Sequence, residues 1–115
     1  MARVSSHILD SVSGKSAVGI RGQLFQLEGS GKQLLFDVVA DHEGRIAENV
    51  EINAGNRGAE FELVFHCGDY FAARSLAADS MVSTVVIRFS MNDDHKRYHL
   101  PVMLSPHSYS TWWSS

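Results

Sequence analysis

The sequence predicts an all-β fold: an antiparallel β-sandwich of seven or eight short strands carrying one short helix. Three observations predict it. Apolar and polar residues alternate over runs such as Phe61–Cys67 and Thr84–Met91, the two-residue period of a strand with one face in a core. Clusters of Gly, Ser, Asn and Asp, residues suited to turns, separate those runs. Only Gly68–Ala78 changes period, and strands and helices do not alternate, so a parallel α/β sheet is not expected.

In chain order, Arg3–Asp10 is the first strand, with Val4 and Ile8 on one parity and His7 and Leu9 on the other. Ser11–Gly19 reads as a loop. Ile20–Leu27 is the second strand, with Ile20, Leu24 and Gln26 sharing a face. A hairpin turn over Glu28–Lys32 leads into the third, Gln33–Ala40. Asp41–Arg45 is a tight turn with Gly44 at a position of positive φ. Ile46–Ile52 is a short edge strand and Asn53–Gly58 a loop. Phe61–Cys67 points Phe61, Leu63, Phe65 and Cys67 inward, against Glu62, Val64 and His66. Tyr70, Phe71, Arg74 and Leu76, spaced by alanines, suit a short helix. Thr84–Met91 turns Val85, Ile87, Phe89 and Met91 inward, and Asn92–Arg97 is a polar turn. Tyr98–Ser105 alternates again: Tyr98, Leu100, Val102 and Leu104 face a core, while His99, Pro101, Met103 and Ser105 face away. Ser105–Ser108 turns the chain, and Tyr109–Ser115 returns as a strand rich in Thr, Tyr and Trp.

A chain of 115 residues is one domain, residues 1–115, whose modest core would gain from covering a further face by oligomerisation. A net charge of −3 gives no electrostatic case for nucleic acid or an anionic membrane surface. The single cysteine, Cys67, excludes an intrachain disulfide framework and suits a core position. The N-terminus has no apolar signal-like run, and no stretch approaches the roughly 20 apolar residues of a membrane span. A cytoplasmic location is expected.

Six histidines occur, His7, His42, His66, His95, His99 and His107. They show neither a Cys-x-x-Cys pair nor a His-Glu-x-x-His helix, so no metal is expected, and nothing implies a cofactor. A nucleophile elbow, a glycine-rich phosphate loop and a basic stripe are also absent. On the residues alone, His7, Arg45 and His99 read as surface groups.

Four stretches change that: His7-Ile-Leu-Asp10, Gly44-Arg45, Phe65–Phe71 and Tyr98–Thr111. Together they resemble the transthyretin-like proteins, the family of 5-hydroxyisourate hydrolases, over nearly the whole chain. The resemblance implies a transthyretin-like sandwich with a helix after the fifth strand. It implies a catalytic set of His7, Arg45 and His99. It also implies a homotetramer, a dimer of dimers, with sites in a channel where the dimers meet. The chemistry suits the residues. Imidazole moves protons near neutral pH, and guanidinium matches the paired oxygens of a planar anionic heterocycle and can stabilise an oxyanion. One histidine would activate water and the other orient or protonate, with the assignment open. Leu9, Pro101, Met103, Ser110, Trp112 and Ser115 are expected to line the substrate channel, one tryptophan reaching it and the other pointing to the opposite side.

The chain ends Trp112-Trp113-Ser114-Ser115, where the family ends Tyr-Arg-Gly-Ser. A hydroxyl and a positive charge are lost and indole surface is gained, which would relax or redirect substrate choice. Three outcomes stay open: hydrolysis of 5-hydroxyisourate, action on another planar heterocycle in a biosynthetic pathway, or small-molecule binding without turnover. Retention of His7, Arg45 and His99 favours an enzyme.

Overall fold

Two β-sheets pack across a shared apolar core, built from β1 (Ala2–Asp10), β2 (Lys15–Ser16), β3 (Arg21–Glu28), β4 (Gly31–Val39), β5 (Arg45–Val50), β6 (Glu60–Phe65), β7 (Val85–Ser90), β8 (Arg97–His99), β9 (Val102–Leu104) and β10 (Tyr109–Thr111). One helix, α1 (Cys67–Ala72), follows β6. The computed structural model describes residues 1–76 and 81–113. The second sheet runs β4-β3-β6-β7 and is antiparallel throughout. In the first sheet β1 is central. It pairs with β5 and β2 along one side and with β8 and β9 along the other, and β10 lies outside β9.

The expected sandwich is present, with differences that have local causes. The chain forms ten strand segments among the described residues. Lys15–Ser16 pairs with the end of β1 inside the expected loop. The expected strand over Tyr98–Ser105 is broken at Leu100–Pro101, because proline has no N–H to continue a ladder. The Ser6 hydroxyl instead donates to the Leu100 carbonyl at 2.7 Å, and the Leu100 amide donates to the Ser5 carbonyl at 2.9 Å. The sheet is not purely antiparallel, since β8 and β9 run parallel to β1. The strand expected to include Cys67 stops at Phe65, and Cys67 opens the helix as a buried free thiol. The helix is shorter than expected: after Ala72 the chain turns through Ser75 at φ 57°. The rest of the expected helix, residues 77–78, lies outside the described residues. No helix among them is long and apolar enough to cross a membrane.

Alternation does the packing. Val4, Ile8, Phe61, Leu63, Phe65, Val85, Met91, Val102 and Leu104 all point inward and are almost fully buried. Each large side chain contributes about 1.5–3 kcal/mol of apolar transfer. Asp10 is a charged group held within the buried layer. It is 2% exposed and accepts hydrogen bonds from the Tyr70 hydroxyl at 2.9 Å and from the amides of Val12 and Ser13. Burial pushes its pKa up, but these donors outweigh burial and leave it lowered. Asp10 therefore ties the end of β1 and the turn after it to α1.

Candidate active site

The outward face of the first sheet collects the groups expected to act together. β1 turns Arg3, Ser5, His7 and Leu9 outward, opposite the buried Val4, Ser6, Ile8 and Asp10. Cross-strand register carries the pattern to the neighbours. His7 stands opposite Arg45, and Ser5 stands opposite Ala47 on one side and His99 on the other. Residues directly opposite in a ladder point to the same face. His7, Arg45 and His99 thus occupy three adjacent strands of one face, although Ser5 and its neighbour His99 lie 94 residues apart in the chain.

Arg45 is held by its turn. The Asp41 carboxylate accepts from the amides of Glu43 at 2.8 Å and Arg45 at 3.0 Å, and positive charges nearby help keep its pKa low. Gly44 has φ 73°, and a Cβ there would lie 2.8 Å from the Ile8 carbonyl and 2.7 Å from Ser16 Cβ. That close approach lets the Ile8 amide reach the Gly44 carbonyl at 2.8 Å and docks the turn onto β1. Glycine is needed both for the backbone conformation and for the space.

Each histidine meets a serine. His99 Nδ1 lies 2.8 Å from Ser5 Oγ, and His7 Nε2 lies 3.3 Å from Ser16 Oγ. His99 has its pKa lowered, first by desolvation of the ring edge against the sheet and then by the positive charge of Arg45, His7 and Arg97. A neutral imidazole is therefore favoured at neutral pH. Beside it is an open depression of about 430 Å³ bordered by Arg3, Ser5, Arg45, Ala47, Arg97 and His99. His7 adjoins the Arg45 end of this space without lining it.

The channel residues expected from sequence divide. Leu9, Met103 and Ser110 share the outward face in one cross-strand row, Leu9 opposite Met103 and Met103 opposite Ser110. Pro101 does not join them: it is buried, because the alternation lapses at the Leu100–Pro101 break. Trp112 and Trp113 are both exposed, at 44% and 73%. Trp113 borders a groove between β7 and β8 that also touches Arg97 and His99, at a point where the chain is no longer a strand after Thr111. Ser115 lies outside the described residues. Sequence reasoning missed Ser5, Ser16, Arg3 and Arg97. Shared parity with His7 on β1 would have found Ser5 and Arg3, but nothing local marks the β1–β8 pairing that brings Arg97 beside them. Among the described residues, no three His, Cys, Asp or Glu side chains gather to hold a metal ion.

Comparison with known proteins shows the family and the fold. A family model described as the HIUase/Transthyretin family matches residues 4–113. The chain is 37% identical to 5-hydroxyisourate hydrolase 2 of Rhizobium meliloti, covering 96% of this chain and 93% of that protein. It is 35% identical to the 5-hydroxyisourate hydrolase of Pseudomonas aeruginosa, over 97% and 90% of the two chains. Among solved structures it resembles Klebsiella pneumoniae 5-hydroxyisourate hydrolase, at 29% identity over all of both chains with a TM-score of 0.80. It also resembles (S)-allantoin synthase, at 27% identity and a TM-score of 0.80, over 99% of this chain and 44% of that one.

Proposed function

The chain belongs to the HIUase/Transthyretin family, and on that footing we propose that it is a hydrolase of the 5-hydroxyisourate hydrolase type, opening a cyclic amide or imide ring of a purine-derived heterocycle in urate breakdown. The observation that carries this proposal is the meeting of His7, Arg45 and His99 on adjacent strands of one face, with Arg45 and His99 bordering an open depression and His7 beside its Arg45 end. His99 is the general base. In the tautomer whose Nδ1–H donates to Ser5 Oγ, Nε2 carries the lone pair that takes a proton from water, and His99 borders the depression. The hydroxide so formed attacks the ring carbonyl. Arg45 binds the planar, oxygen-rich substrate and stabilises the developing oxyanion. His7, across the ladder from Arg45, orients substrate and protonates the leaving nitrogen.

The proposal includes a cytoplasmic homotetramer, a dimer of dimers in which residues 1–115 act as one domain and the outward face of the first sheet meets its copy. Half-exposed Met103, at 38%, supports a covered role for this face. The direct test is decay of freshly generated 5-hydroxyisourate. The chain should accelerate it and His99→Ala should not; equal decay with both would sink the assignment. A second reading is favoured by the exposed Trp113 indole, which shares a groove with His99: action on another planar heterocycle, or binding without turnover. If Trp112→Tyr with Trp113→Arg alone brings activity on 5-hydroxyisourate, the natural substrate is a different ring.

A further inference from the structure

The depression beside His99 holds more positive charge than the proposed mechanism uses. Arg3 and Arg97 stand opposite each other in the parallel β1–β8 register, and both border the space with Arg45. Arg3 donates from Nη1 to Asn49 Oδ1 at 3.1 Å, which holds the side chain without compensating its charge. Among the described residues, none of these three guanidinium groups has a carboxylate within ion-pairing distance, whereas Arg21 and Arg88 are paired with Asp37 and Glu62. The chain as a whole carries a net charge of −3, so the lack of acids here is a local feature rather than a general shortage. Like charges gathered in one depression repel, and an anion among them removes that repulsion. The flat donor fork of arginine matches the two oxygens of a carboxylate.

We propose that Arg3 and Arg97 form a carboxylate seat beside His99 that takes the acid released by ring opening. This rests on the ring-opening reading given above. In that reaction the water oxygen bonds to the carbonyl carbon, the C–N bond breaks, and the nitrogen departs with a proton. The acid so formed gives its own proton to solvent. A neutral ring carbonyl thus becomes a carboxylate at the moment the ring opens. Arg45 meets the oxyanion of the attack, and Arg3 and Arg97 receive the charge that persists afterward. Ligands carrying a carboxylate on a small planar ring should therefore bind better than the same ring without one.

Uracil and uracil-6-carboxylate are such a pair. Titrated calorimetrically into the full chain at low ionic strength, the carboxylate is expected to bind at least about tenfold more tightly, a preference that weakens with added salt. Arg97→Gln should remove most of it and Arg3→Gln should reduce it. Arg57→Gln, in the exposed Asn53–Gly58 turn, should leave it unchanged. A preference that persists in the Arg3→Gln, Arg97→Gln double variant, or that is absent from the unaltered chain, overturns the seat. Turnover of 5-hydroxyisourate measured in parallel separates the two ideas. Turnover without carboxylate preference rejects the seat alone, while preference without turnover keeps the seat as an anion site and rejects the ring-opening reading.

Discussion

His99 concentrates the proposed chemistry, and its surroundings predict how it titrates. Desolvation and three cationic neighbours hold its pKa below the ordinary histidine value, so the ring loses its proton at lower pH than a free imidazole. The acid limb of kcat/KM on 5-hydroxyisourate should accordingly lie below about pH 6.5. Arg97→Gln removes a positive charge that opposes protonation, so the limb should move upward; a downward shift would contradict the assignment. Ser5 is a positioning residue, holding His99 Nδ1 from a site that is only 9% exposed. Losing one neutral hydrogen bond of about 1 kcal/mol, Ser5→Ala should lower kcat/KM by about fivefold to tenfold, with Ser5→Thr restoring much of the loss. Unchanged kinetics in Ser5→Ala would leave the serine with packing alone. The histidines and Arg45 were legible only through the resemblance, because a lone polar residue on the outward face of a strand has no local mark of its use.

At the scale of elements, the Gly44 turn and the Asp10 anchor fix where β1 and β5 lie. Gly44→Ala must strain a backbone at φ 73° and push against the Ile8 carbonyl. It should cost about 1–3 kcal/mol in urea unfolding and raise KM more than it lowers kcat, since Arg45 is displaced rather than removed. Asp10 acts through stability. Its folded pKa is depressed, so its contribution is complete above the unfolded value near 3.9 and is lost as pH falls through the lower folded value. Tyr70→Phe should remove about 1.5–3 kcal/mol near neutral pH, as befits a hydrogen bond to a charged acceptor, and less in acid. A Tyr70→Phe loss independent of pH would argue against a charged Asp10. Most elements could be read from sequence because period two survives wherever one face is buried, as in Phe61–Phe65 and Val85–Met91. The misses sit where another constraint overrides the pattern. Pro101 interrupts a ladder that its neighbours would continue, and Cys67 follows the strand's parity but starts a helix.

For the molecule as a whole, the outward face of the first sheet is the surface on which the tetramer proposal depends. Met103 is part-exposed there and stands opposite both Leu9 and Ser110. Met103→Glu would place a carboxylate in that row, and light scattering should then report a smaller species than for the unaltered chain. An unchanged mass would move the assembly contact elsewhere. Which strands pair is the part of the architecture least visible in sequence. Alternation says which side chains point inward, but it carries no information about neighbours, so the parallel docking of β8 and β9 on β1 could not be anticipated.

That docking has a consequence for biosynthesis. The central strand of the first sheet is made long before its flank on the His99 side, which is supplied by residues 97–104. Until those residues clear the ribosome, the hydrophobic inner side of β1 lacks half its lateral support. Nascent chains should therefore remain vulnerable to proteases and holdase chaperones until residues 97–104 emerge, and closure of the sheet should be slowed by its distant pairings.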